Sequence, residues 1–429
     1  MKDNTVKKDI VIIGGGPAGL AAATGAYGAG VKDIIIIERG GEPGGILQQC
    51  IHNGFGLTRF KENMTGTEYA ARCIAETQKC GIEILLNTTV LKIDAQLQDN
   101  GAGKALTVTN ETDGIFTVDA KAVIIATGCR ERGKGALNIP GFRPSGLFSA
   151  GTAQKYINIY GEGIGKNVVI LGSGDIGLIM ARRMTLEGAK VHAVCEIMPY
   201  SSGLRRNIAQ CLDDFNIPLY LSHTVTYIHG RERLEGVTIA RVDGNKNPIK
   251  ETERFIACDT LLFSVGLIPE NELARAAGVR MDAKTRGAEV DDSRQTSVPG
   301  IFACGNALHV HDLVDFVSEE AELAGRKAAG YVQNGAFNGD YIPVSNGAGV
   351  SYVVPQRINR LCGGEIKLYF RPDNIYKDVT VKVSDGERIL KSAKRVAAAP
   401  GEMETLIVKP AEFSKAAGLT VTMEAAVWR

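Results

Sequence analysis

The sequence predicts an α/β chain: two Rossmann-like dinucleotide-binding domains of three-layer ββα type, the second inserted in the first, then a small all-β domain. Three observations carry this. A strand, glycine-rich turn, helix and strand open the chain, a second copy begins at Val168, and after about Tyr341 only short strand-like runs remain. Each copy closes on a glutamate, Glu38 or Glu196, placed 24 positions after the first glycine of its turn (38 − 14 and 196 − 172). The expected division is residues 1–157 with 267–340, residues 158–266, and residues 341–429.

The elements follow in order. Asp9–Ile13 is a short apolar run ending in glycines, as a buried parallel strand is. Ala18–Ala29 is small and apolar, with helical character, and Asp33–Glu38 is a β-branched second strand. Thr65–Cys80 reads as a helix with Gly81 as its stop. From Ile82 to Val118 short strands alternate with turns such as Asp99-Asn100-Gly101, and Val123–Ala126 is a buried strand ending at Thr127-Gly128. The second unit comprises strand Val168–Leu171, helix Ile176–Leu186 and strand Val191–Glu196. Strands and turns alternate from Pro218 to Ile256, and Leu261–Val265 is a buried strand ending in Gly266. Gly300–Asn306 is strand-like and Val314–Val332 helical. In the tail, Glu365–Phe370, Val379–Val383, Thr405–Val408 and Thr420–Met423 have strand character with no long helical pattern, which predicts a small β-sandwich.

Composition narrows the function classes. Lys and Arg number 49 against 48 Asp and Glu, a balance that points to neither nucleic acid nor an acidic membrane surface. No apolar run approaches the length of a membrane span. The nine cysteines are scattered, with no Cys-x-x-Cys, and the start is polar, so a reduced, cytoplasmic protein is expected.

The two turns carry the chemistry. In Gly14-Gly15-Gly16-Pro17-Ala18-Gly19 the first glycine permits a tight turn. Gly16 lets a pyrophosphate approach the backbone, and Gly19 lets helix and strand pack closely. The helix start then offers unpaired N–H groups and a positive dipole end to phosphate. Glu38 can accept both ribose hydroxyls. Gly172-Ser173-Gly174-Asp175-Ile176-Gly177 repeats the pattern, with Glu196 as its acid. A carboxylate there favours NAD(H), since it accepts ribose hydroxyls and repels a 2′-phosphate. Arg205 and Arg206 lie close by and keep NADP(H) open.

The two fingerprints, Ala126-Thr127-Gly128 and Gly300-Ile301-Phe302-Ala303-Cys304-Gly305-Asn306, resemble the two-dinucleotide-domain flavoprotein family of thioredoxin reductases, lipoamide dehydrogenase-like enzymes and NADH oxidases, over about residues 8 to 335. The resemblance implies FAD at the first turn and NAD(P)H at the second. It implies that Arg39, Gly44, Gly45, Ile46, Val90, Gly305, Asn306 and Val317 join Gly14, Gly16, Pro17, Ala18, Gly19, Glu38, Ala126, Thr127 and Gly128 around FAD, and that Gly266 joins Gly172, Gly174, Asp175, Ile176, Gly177 and Glu196 at the second site. Asn306 stands where the family carries an acid on the ribityl chain. Asparagine still hydrogen-bonds a hydroxyl. The helix after Asn306 is expected to aim its N-terminus at the flavin pyrimidine edge.

With no paired cysteines, and Ile179 where disulfide reductases often carry glutamate, a thioredoxin-reductase-like relay is disfavoured. Gly44–Gly56, with His309-Val310-His311-Asp312-Leu313-Val314-Asp315, looks like the flavoprotein subunits accompanying glycerol-3-phosphate dehydrogenase-like proteins of anaerobic bacteria. It is more distantly similar to the FAD subunits of opine oxidase, hydrogen cyanide synthase and dye-linked proline dehydrogenase. The resemblance implies hydride transfer between NAD(H) and FAD, with electrons exchanged with a second flavoprotein dehydrogenase or an iron–sulfur subunit in a hetero-oligomer or dimer. Two alternatives stay open: a stand-alone NADH oxidase or diaphorase, and a non-catalytic flavin-bearing assembly subunit. Cys50 and His52 are the weak candidates for reactive groups beside the flavin, each set against a packing role. His309, His311 and Asp312 match no strong metal spacing, so no metal is expected there. A loop at the flavin edge or a subunit contact is expected instead.

Overall fold

The computed structural model describes residues 5–97, 103–335 and 339–425, so the turn Asp99-Asn100-Gly101 lies outside the described residues. Contacts divide the chain into two compact units, Met1–Cys129 with Pro269–Arg429, and Arg130–Ile268. The division falls at 129/130 and 268/269 rather than at 157/158 and 266/267. Sheet pairing is the reason: Leu147–Ser149 lies parallel to Thr260–Phe263, so the stretch before residue 158 belongs to the second unit.

In the first unit, Thr5–Ile13 is the central strand. It pairs in parallel with Ile34–Ile37 on one side and Gly114–Ile125 on the other. The four isoleucines 34–37 are all buried, as a strand covered on both faces requires. Glu83–Leu85 extends one edge, while Gly103–Asn110 and Thr89–Leu97 continue the other in antiparallel sense. Gly114–Ile125 is one long strand serving both halves of this sheet, where two separate runs were expected. The helix Pro17–Gly28 packs against the helix Val314–Asn334 at glycine level: a Cβ on Gly325 would lie 2.0 Å from the Ala22 carbonyl oxygen. The helix Gly66–Lys79 starts with a capping box of Thr65 and Glu68, and Gly81 follows its end at φ +66°. Only Ile301–Ala303 of the Gly300–Asn306 run is strand. Gly305 turns left-handed (φ +65°) into a 3₁₀ turn, Gly305–Ala307.

The tail contributes two sheets to this unit. One has five strands and the other three, and they share one apolar cluster that includes Leu368, Phe370, Val381, Phe413 and Val421. The second unit repeats the ββα plan. Its five-stranded sheet is parallel throughout, with Asn167–Leu171 flanked by Lys190–Glu196 and Thr260–Phe263. Helix Asp175–Leu186 covers one face, and an antiparallel three-stranded layer completes the plan. No described helix is long and apolar enough to cross a membrane.

Candidate functional site

Each glycine of the first turn does separate work. Gly14 sits at φ +108°, and a Cβ there would lie 2.4 Å from the Ala126 carbonyl oxygen. A Cβ on Gly19 would lie 1.8 Å from the Gly14 carbonyl oxygen, so the helix can approach the turn only as glycine. Gly16 is different. The nearest atom to its Cβ is Gly45 Cα at 4.0 Å, which leaves an open approach beside the turn. Pro17 starts the helix, Ala18 is buried behind it, and the helix has neither a side-chain cap nor an acid in its first turn. Its first N–H groups therefore suit an anionic ligand.

Glu38 ties this turn together. Its Oε2 accepts the Gly15 N–H at 2.6 Å and its Oε1 the Gly40 N–H at 2.7 Å. Beside it lies a cavity of about 340 Å³ lined by Gly14, Glu38, Arg39, Val90, Thr127 and Leu273, among others. Thr88, Thr89, Glu270 and Glu272 also line it, and no sequence motif announces them. The Thr127 hydroxyl donates to the Glu270 carbonyl (2.6 Å), and Gly128 follows at φ +72°.

The second turn is built alike. Gly172 (φ +96°) and Gly177 would meet Ser264 with any Cβ, at 2.0 and 2.7 Å. A Cβ on Gly174 would stand 3.2 Å from Ser264 Oγ, which itself accepts the Gly177 N–H at 3.1 Å. Glu196 is buried. Its Oε2 accepts from Ser173 N (3.0 Å) and Ser173 Oγ (2.6 Å), and its Oε1 from Met198 N (3.0 Å). Asp175 turns away from the helix start to accept from Leu204 N (2.8 Å) and Asn207 Nδ2 (2.7 Å), which fixes the following loop. Ile176 is half-buried, Gly266 adopts φ +99°, and Arg205 and Arg206 are exposed.

The segment after Glu38 turns at Gly44 (φ +108°) and Gly45 (φ +57°), and leaves Ile46 exposed. Cys50 donates its thiol to the Ile46 carbonyl at 3.3 Å, and burial pushes that thiol up to about 12. A protonated, half-buried thiol is a poor nucleophile. His52 is half-buried against Phe55, with ring centroids 5.0 Å apart.

Glu320 is a further residue that sequence reasoning missed. It is fully buried and accepts from Arg294 Nε (3.0 Å), His309 Nε2 (3.1 Å), His311 Nε2 (3.0 Å) and the Gly305 backbone N–H (3.1 Å). Those donors match the lone-pair capacity of a carboxylate. Burial opposes ionisation, yet His309, His311 and Arg294 hold the Glu320 carboxyl well below its usual range. Burial also drives the His309 ring down to about 4. His309, His311 and Glu320 bring their ligand-type atoms within 4.8 Å of one another. A cation there would compete with the Arg294 guanidinium. It would also make the two Nδ1 atoms, buried without partners among the described residues, into orphaned N–H donors. The arrangement is therefore a hydrogen-bonded hub. Asn306 belongs to it: its Oδ1 accepts the His311 backbone N–H at 3.0 Å. Val317 packs at the same turn, 3.2 Å from a Cβ placed on Gly305. Asp315 closes the region by accepting from the backbone of Gly56, Thr58 and Arg59 at 3.1, 3.1 and 2.6 Å. No sequence signal marks Glu320, since it reads as one of four acids on a helix, with Asp315, Glu319 and Glu322.

Residues 8–328 match the pyridine nucleotide-disulphide oxidoreductase family. The chain belongs to that family. It is an oxidoreductase, and the cofactors of the family are FAD and NAD(P). Among its relatives, the HcnB subunit of the hydrogen cyanide synthase of Pseudomonas aeruginosa is 26% identical over 74% of this chain and 69% of its own length. A subunit of the opine oxidase of Agrobacterium tumefaciens is 23% identical over 75% of this chain and 64% of its own length. The thioredoxin reductase structure of T. acidophilum superposes with a TM-score of 0.62 at 25% identity, covering 76% of this chain and 98% of that one. In this oxidoreductase the open approach at Gly16, the uncapped helix and the cavity beside Glu38 fit the phosphate and ribose of a dinucleotide.

Proposed function

We propose that the chain holds FAD at Gly14–Gly19 and Glu38, holds NAD(H) at Gly172–Gly177 and Glu196, and moves a hydride between them. Electrons then pass to or from a partner flavoprotein dehydrogenase of glycerol-3-phosphate dehydrogenase-like type. The observation that carries this is the duplicated clasp: Glu38 on Gly15 N and Glu196 on Ser173 N, at equivalent places in two ββα units. Bound flavin supplies the hydride and electron chemistry. The chain's own residues bind and orient: glycine turns admit the pyrophosphates, the glutamates take ribose hydroxyls, and Asn306 faces the ribityl end.

NAD(H) over NADP(H) follows from the buried charge of Glu196, which a 2′-phosphate would have to approach. A partner is supported by the relatives, which are named as subunits. It is supported also by the lack of a Cys-x-x-Cys pair, which leaves no resident dithiol to receive electrons. Nine free thiols support a reducing compartment, the cytoplasm. Anaerobic stopped-flow mixing with NADH tests the reading. Bleaching of the bound flavin is expected, and an unchanged flavin spectrum would overturn it. Rapid turnover of the isolated chain on oxygen would instead select the stand-alone oxidase.

A further inference from the structure

The tail beyond residue 328 lies outside the part shared with the family, yet it reaches the turn that carries Asn306. Arg371 donates from Nη2 to Asp312 Oδ1 (2.7 Å) and to the Val310 carbonyl (3.0 Å). It is held in place by the Pro400 carbonyl (2.9 Å) and the Tyr352 hydroxyl (3.2 Å). The Met403 backbone N–H takes the other oxygen of Asp312 at 2.7 Å. Tyr369, also from the tail, packs its ring 5.5 Å from His309 and 5.7 Å from His311. The segment 310–312 is thus gripped from two parts of the tail, the strand Ile366–Pro372 that carries Tyr369 and Arg371 and the turn that carries Met403.

That segment is continuous with the hub. His309 and His311 flank Val310 and both donate to Glu320, which in turn holds the Gly305 N–H. The turn has little room to drift. A Cβ on Gly305 would lie 2.8 Å from the Cβ of Ala18, which sits within the glycine fingerprint in the first turn of its helix. A shift of the 310–312 segment is therefore passed on through buried, directional bonds to Gly305 and Asn306.

We propose that Arg371 is a positioning residue for the flavin: through Asp312, the two histidines and Glu320 it sets the Gly305–Asn306 turn against the cofactor, so that the C-terminal β region completes the FAD site. This rests on the assignment of FAD to the first turn. The charged and titratable groups facing the relay are Arg294, His309, His311, Asp312, Glu320, Tyr352, Tyr369 and Arg371. Arg371–Asp312 and Arg294–Glu320 are matched ion pairs, so the relay acts by geometry rather than by net charge.

The test uses the full chain and compares Arg371→Met, Asp312→Asn and a control, Arg360→Met. Arg360 binds Asp340 and the Ala416 carbonyl and makes no contact with the 309–313 loop among the described interactions. FAD affinity is read by flavin fluorescence, and the midpoint potential of bound flavin by dye equilibration. Arg371→Met and Asp312→Asn are expected to weaken FAD about tenfold. They should also displace the potential by about 30 mV, the equivalent of a tenfold change in preference between oxidised and reduced cofactor. Arg360→Met should change neither, even where it lowers Tm, and Arg371→Lys should recover part of the affinity. If Asp312→Asn and a folded Arg371→Met keep wild-type affinity and potential, the proposal is overturned. An equal shift in Arg360→Met overturns it as well, by reducing the effect to general loosening. Failure of the wild-type chain to bind FAD is a different result, and refutes the assignment of the first turn instead.

Discussion

Glu38 Oε2 accepts the Gly15 N–H at 2.6 Å, which ties the end of the second strand to the glycine turn that follows the first. The same carboxylate, with its other oxygen on Gly40 N, borders the cavity, so one side chain shapes the turn and offers acceptors to a ribose. Replacing it tests both roles together. Glu38→Ala should weaken FAD about 10- to 100-fold, the range for losing hydrogen bonds to a charged acceptor. Glu38→Gln should fall between, since it keeps an acceptor for Gly15. Isothermal titration of the apoprotein with FAD measures this, and unaltered affinity in Glu38→Ala would count against the first site.

Two glycines of the same turn should respond in opposite ways. Gly16 has ordinary backbone angles (φ −75°, ψ −176°) and open space at its Cβ position, so Gly16→Ala should keep its Tm while losing FAD affinity about tenfold. Gly19→Ala drives a methyl to 1.8 Å from the Gly14 carbonyl oxygen, and should cost about 3 kcal/mol or more in thermal unfolding. Equal stability of the two variants would contradict this difference in packing.

For the second site the readout is selectivity. Glu196→Ser removes the charge that a 2′-phosphate would meet, and should lower the NADH-to-NADPH ratio of kcat/KM about tenfold. A ratio that does not move would show that Glu196 has no part in choosing the nucleotide.

Acid sensitivity should trace in part to His309. Its ring is held down to about 4 in the fold against an ordinary 6.5. Between these values the unfolded chain binds a proton that the native chain refuses, so stability falls as pH falls, by roughly 1 kcal/mol per pH unit for this group. Asp291, raised to about 6 by burial, slopes the other way in wild type and variant alike. His309→Gln keeps a donor for Glu320 and removes the titration. Urea unfolding at pH 7 and pH 5 should show a smaller stability loss on acidification in the variant.

Cys50 should be dispensable for electron transfer. Its thiol is pushed up to about 12, so little thiolate exists at neutral pH. Cys50→Ala is expected to keep NADH-driven flavin reduction within about twofold, and native Cys50 should label slowly with thiol reagents. A large rate loss in the variant would restore it as a participant.

Local chemistry written in neighbouring residues determined much of this protein. The glycine spacings at 14–19 and 172–177, the acids at Glu38 and Glu196, and the β-branched strands between them each act within one βαβ unit, so pattern and geometry coincide. The helix start near Thr65 and the stop at Gly81 are legible for the same reason. What only the folded chain decided joins residues far apart in sequence. Leu147–Ser149 went to the second unit because its partner strand ends at Phe263. Glu320, Arg294, His309 and Gly305 met because a 21-residue helix brings its second turn beneath a 3₁₀ turn. Arg371 reached Asp312 from a sheet that shares no motif with the rest. Such contacts are set by topology and burial, which fix where a buried charge must find its partners, and no spacing along the chain records them.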